Sequence, residues 1–80
     1  MAIQQILSPL PGTFYRSPAP DMPPFKNEGD TIAKGDVIGI VEVMKSFFEV
    51  KSELAGKVAR FLVGNEDPVM AGQPLVDIDV

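Results

Sequence analysis

Lys45 is distinguished from the other lysines by its neighbours. It closes the run Glu42-Val43-Met44-Lys45 and is followed within two positions by the bulky pair Phe47-Phe48. A lysine amine is a hydrated, flexible group, but another enzyme can acylate it when a rigid turn presents it. The resulting amide removes the charge and lengthens the side chain. On spacing alone Lys45 reads as a solvated surface lysine, like Lys26, Lys34, Lys51 and Lys57. The rest of the chain has little catalytic equipment. Histidine is absent, which removes the commonest general base and zinc ligand. Cysteine is absent too, so there is neither a disulfide framework nor a thiolate metal site. No carboxylate pair has a spacing that argues for acid–base work. Glu28, Asp30, Asp36, Glu66 and Asp67 are expected to serve turns and solubility. Met44 could shield the turn or simply pack. Tyr15-Arg16 could dock a partner or occupy ordinary strand positions.

Composition narrows the setting. Eighty residues make one small domain, residues 1–80, with a modest core. The net charge is −4, which repels a phosphate backbone and argues against nucleic-acid binding. No apolar run approaches the ~20 residues of a membrane helix, and the N-terminus has no basic region followed by an apolar core. The expectation is a soluble cytoplasmic domain, without a membrane role, that is not an enzyme by itself.

Eight prolines and seven glycines break the chain into short pieces and disfavour long helices. Between them lie β-rich stretches, Ile3–Leu7, Val37–Val41, Phe47–Val50, Val58–Val63, Val69–Met70 and Leu75–Val80. The last alternates apolar and acidic residues, as in a strand with one wet face. Ser17 to Phe25 holds half of the prolines and cannot supply a ladder of N–H donors. An internal repeat organises these pieces. Ser8–Phe14 lines up with Ser52–Val58 at an offset of 44, and Asp30–Ile38 with Asp67–Leu75 at an offset of 37. The difference of seven places extra residues between Phe14 and Asp30, where the proline-rich segment lies. Two similar β-halves follow, with a protruding insertion in the first. Lys45 falls at their junction, at the end opposite the termini if a two-fold axis relates the halves. Local turn chemistry does not mark this junction, and periodicity alone would allow a short helix over Glu42–Glu53.

Val41-Glu42-Val43-Met44-Lys45 resembles the attachment motif of biotinyl carrier domains, usually written E-A-M-K-M. The wider pattern is similar to the biotin carboxyl carrier protein of acetyl-CoA carboxylase. Ser8-Pro9 and Gly12–Pro18 match that family's opening, Gly29-Asp30 and Lys34-Gly35-Asp36 the turn before the attachment strand. Gly56, Gly72-Gln73 and Pro74-Leu75-Val76 match its second half. The resemblance implies an all-β fold, a flattened β-barrel or sandwich of two quasi-symmetric four-stranded halves. A thumb would protrude from the first half, here about residues 16–25. Biotinyl domains of the pyruvate carboxylase type and ordinary lipoyl domains lack that thumb.

The resemblance also implies function. Biotin would be joined covalently to Lys45 by a biotin protein ligase, with Glu42, Val43 and Met44 as flanking site residues. The carrier would then shuttle a carboxyl group between biotin carboxylase and carboxyltransferase without breaking bonds itself. The thumb prolines could contact biotin or a partner enzyme, or form a plain surface loop. Two positions depart from the motif, Val43 in place of Ala and Ser46 in place of Met. The chain also opens almost directly on its first strand, whereas acetyl-CoA carboxylase carriers have a longer N-terminal part. That pattern leads to the expectation of a short stand-alone carrier or of a different acyl-CoA. A lipoyl carrier of a 2-oxo acid dehydrogenase and an unmodified, degenerate carrier acting as an interaction module remain as alternatives.

Overall fold

In the computed structural model, which describes residues 2–80, the short apolar stretches become eight strands. These are β1 (Ile3–Leu7), β2 (Gly12–Tyr15), β3 (Thr31–Ile32), β4 (Val37–Val43), β5 (Ser46–Lys51), β6 (Gly56–Phe61), β7 (Asp67–Val69) and β8 (Pro74–Asp79). They pair into two four-stranded antiparallel sheets, ordered β1-β8-β6-β3 and β5-β4-β2-β7. The all-β expectation holds, and Glu42–Glu53 is a hairpin and its exit rather than a helix. β2 and β3 have no counterpart among the stretches picked out by hydrophobicity. They are four and two residues long, too short to show a period.

The repeat is visible in the backbone bonds. Gly35 N donates to Ser52 O at 2.7 Å, and Gly72 N to Ser8 O at 2.8 Å. Ser52 N donates to Asp36 O, and Ser8 N to Gln73 O. Both serine hydroxyls donate to a carbonyl two residues on, Leu10 or Leu54, at 2.6 Å. The turn acids behave as expected. Asp30, Asp36 and Asp67 each accept the backbone N–H three residues earlier, and Gln73 does the same at the equivalent of Asp36. Such local side-chain-to-backbone bonds replace a ladder partner where the chain reverses.

Phe14, Ile38, Val41, Leu75, Val76 and Ile78 are fully buried between the sheets. The close approach of the β2 and β4 backbones needs Gly12, where a Cβ would collide with the carbonyl of Glu42. The wet face expected on the last strand is found only in part, with Asp79 half-buried and Asp77 covered. Asp77 is 4 % exposed, because Arg60 on β6 and Gln5 on β1 both reach across β8 to bond its carboxylate. Alternation was read correctly, but cross-strand neighbours decide whether an outward residue meets water.

Direction along the strands places the ends. Leu7 of β1 pairs with Pro74 at the start of β8, and a short crossing leads to Gly12 and Thr13. Thr13 pairs with Glu42, beside the β4–β5 turn. The start of β8 therefore lies at the turn end of the sandwich and its finish lies at the opposite end. There Ala2 and Val80 bond each other's backbone, at 3.3 and 2.9 Å.

Candidate functional site

The β4–β5 hairpin is the tightest the backbone permits. Val43 pairs with Ser46, leaving only Met44 and Lys45 in the loop. Both have positive φ, 49° and 67°, the pattern of a type I′ turn, whose twist matches the flanking strands. Asn-Gly is the usual pair for such a turn. Two long side chains in left-handed backbone are a local strain, and strain of this kind gathers at functional sites.

The four site residues read from the motif come together here with different surroundings. Lys45 is exposed at the tip, and no ion pair or hydrogen bond among the described residues engages its amine. Met44 is 93 % exposed, so it does not pack within the chain. Val43 is half-buried and turns inward against the core. Its branched side chain therefore meets Gly12, away from the tip. Glu42 accepts a hydrogen bond from the Tyr15 hydroxyl at 3.0 Å, tying β4 to β2 on the outer face. That bond raises the Tyr15 phenol above its ordinary value, with burial and the charges of Glu42 and Glu66 adding to the effect. Tyr15 thus belongs to the site. Its link to Glu42 depends on the β2–β4 register, which the sequence does not display.

Beside the hairpin stands the proline-rich loop. It is closed at its base by Phe25 N donating to Arg16 O at 2.9 Å. Arg16 fixes that base, its guanidinium 4.1 Å from the centre of the Phe61 ring and its backbone N donating to Asn65 Oδ1 at 2.9 Å. Between loop and hairpin lies a cleft of about 450 Å³ whose walls include Pro18, Pro20, Tyr15, Glu42 and Phe47. Asn65 and Glu66, from the β6–β7 connection, complete it. They are far from the motif in sequence, and only the fold brings them near. Phe47, 65 % exposed, continues the apolar wall toward the tip.

The biotin/lipoyl family model, described as biotin-requiring enzyme, matches residues 4–78. The chain belongs to this family. Among curated relatives, the biotin carboxyl carrier protein of acetyl-CoA carboxylase from Chlamydia trachomatis is 48 % identical over 73 residues, covering 91 % of this chain and 44 % of the relative. The like-named protein of Nostoc is 41 % identical over 76 residues, covering 95 % of this chain and 42 % of the relative. The chain thus spans less than half the length of these relatives. A crystal structure of Kluyveromyces lactis urea carboxylase shares the fold, with a TM-score of 0.79 and 29 % identity over 99 % of this chain and 6 % of that one. Membership of the biotin/lipoyl family fits the two-sheet architecture and its hairpin-borne lysine.

Proposed function

We propose that this chain is the biotin-carrying domain of a biotin-dependent carboxylase of the acetyl-CoA carboxylase kind, with biotin in amide linkage to Lys45 Nζ. One observation carries the reading. Lys45 occupies a two-residue turn at the end of the sandwich, exposed and held by paired backbone on both sides. The attached group would supply a ureido ring that accepts and gives up a carboxyl group. The chain's own residues present it. Val43 anchors the turn in the core, and Glu42 fixes the hairpin through Tyr15. Met44 offers an exposed apolar contact to a biotin protein ligase. Val43 and Ser46 do not obstruct that enzyme, because one points inward and the other is small. The cleft beside the thumb offers an apolar resting place next to the lysine arm.

In this reading the carrier breaks no bonds. It tethers the ring at high effective concentration near a biotin carboxylase and then a carboxyltransferase, all within the cytoplasm. The relatives' names support biotin over lipoate. Intact mass spectrometry after co-expression with a biotin ligase tests the assignment. The expected result is a gain of one biotin less one water, abolished by Lys45→Arg with the fold unchanged. A lipoate mass, or biotin on Lys51 or Lys57, would overturn it.

A further inference from the structure

The two-fold repeat gives the sheets outer faces built to one plan, yet the proline-rich loop stands over only one of them. On the β5-β4-β2-β7 sheet, Tyr15, Ile40 and Phe47 line the cleft beneath that loop. The offsets of 44 and 37 carry these positions to Ala59, Asp77 and Ile3 respectively. Those three residues meet in a shallow depression on the other sheet, beside Leu7 and Arg60. There the corresponding connection between repeat-matched positions, from β6 to β7 in place of β2 to β3, is seven residues shorter. Ile3 and Leu7 are left 57 % and 49 % exposed.

The floor of this depression is polar and built. Asp77 Oδ2 accepts from Arg60 Nε at 2.8 Å, and its Oδ1 accepts from Gln5 Nε2 at 3.1 Å. Arg60 keeps 69 % of its side chain exposed, and its two Nη groups have no hydrogen-bond partner among the described residues. One edge of the guanidinium is fixed by Asp77 while the other faces solvent. Ile3 and Leu7 lie on either side of the Gln5–Asp77–Arg60 row.

We propose that this face docks an extended, proline-containing peptide segment of a partner protein, bearing a carboxylate for Arg60 and an apolar side chain for Ile3 and Leu7. The chain's own thumb shows what can lie on the equivalent face. A segment crossing a sheet's outer face finds no ladder for its N–H groups, and proline has none to satisfy. A pre-oriented guanidinium is matched in charge and shape by a carboxylate. A second copy of this chain carries the same net charge of −4 and is repelled. The surface is separate from the Lys45 turn and goes beyond the carrier role.

A capped synthetic peptide with the sequence of Ser17–Phe25, whose Asp21 supplies the carboxylate, is the probe. It is titrated into the 15N-labelled intact chain. Amide shifts are expected at Ile3, Gln5, Leu7 and Arg60, with Val43–Ser46 unmoved. Leu7→Ser, an exposed position whose variant is checked by thermal unfolding, is expected to weaken binding about tenfold. Replacing the peptide's aspartate by asparagine should weaken it too and remove its salt dependence. Shifts confined to the Lys45 turn or the thumb cleft would overturn the proposal, as would binding indifferent to Leu7→Ser or no shift at millimolar peptide. Concentration-dependent self-association through Ile3 and Leu7 without peptide would overturn it by making a second copy the occupant.

Discussion

Met44→Gly is expected to make the protein more stable while making it a poorer substrate for modification. Met44 has φ of 49°, a left-handed conformation that costs a side-chain-bearing residue about 1–2 kcal/mol. Glycine relieves that cost but gives up about 0.5–1 kcal/mol of extra backbone freedom on folding. Truncation loses almost no burial, because the side chain is 93 % exposed. The balance is a gain of about 0.5–1 kcal/mol, or roughly 3–6 °C in melting temperature for a domain of this size. Urea unfolding followed by circular dichroism should show a higher midpoint with an unchanged slope. Met70→Gly is the control. Met70 is also exposed, at 68 %, but is not among the positive-φ residues, so the glycine cost of about 0.5–1 kcal/mol stands alone. An equal or lower midpoint for Met44→Gly would refute the strained-turn reading. A ligase that modified the glycine variant at the unaltered rate would refute the contact assigned to Met44.

Three further outcomes follow from the same geometry. Gly12→Ala drives a Cβ into the Glu42 carbonyl and the Val41 side chain, and should lower stability by about 3 kcal/mol in a urea titration. The Asp77 carboxyl is held below its usual range by the Arg60 hydrogen bond and then by Gln5. It therefore contributes stability above its unfolded value near ~3.9, lost as pH falls through the lowered folded value. Urea midpoints across a pH series should show Asp77→Asn less stable at neutral pH, with the gap closing in acid. Tyr15 is the single tyrosine and there is no tryptophan, so phenolate absorbance reports on it alone. Its titration should lie above that of free tyrosine, and Glu42→Gln should move it to lower pH.

Lys45 was placed correctly by the repeat and not by its own turn. Nothing in Val43-Met44-Lys45-Ser46 resembles the Asn-Gly that a type I′ hairpin prefers, so local rules fail at the position proposed for modification. Such a local failure is what a site held by its surroundings produces. The acidic turns were legible because a short side chain and its own nearby backbone N–H settle them. Asp77 was not legible, since its burial comes from Arg60 and Gln5, residues 17 and 72 positions away. Tyr15–Glu42 and the Asn65–Glu66 wall were hidden for the same reason. The motif named one strand and its turn, while the cleft is assembled from three separate stretches of chain.

The repeat also explains why the lysine turn occurs once. The strands that enter and leave it, β4 and β5, correspond to β8 and β1. Val43 and Ser46 thus correspond to Val80 and Ala2, which make the same kind of backbone pair. In one half of the sandwich this junction is closed by Met44 and Lys45. In the other it is the gap between the two described ends of the chain. Polypeptide continuing from either end would therefore leave from the position equivalent to Lys45 at the far end of the sandwich. In the proposed carrier role, two-fold symmetry would set any such continuation and the biotin on Lys45 at opposite ends, with the sandwich as a rigid spacer between them. Moving the chain ends to the Lys45 turn by circular permutation, with Ala2 and Val80 joined by Asn-Gly, should preserve the sheets. It should also abolish modification of Lys45. A permuted chain still modified at the ordinary rate would show that paired backbone on both sides of the lysine is not what the ligase requires.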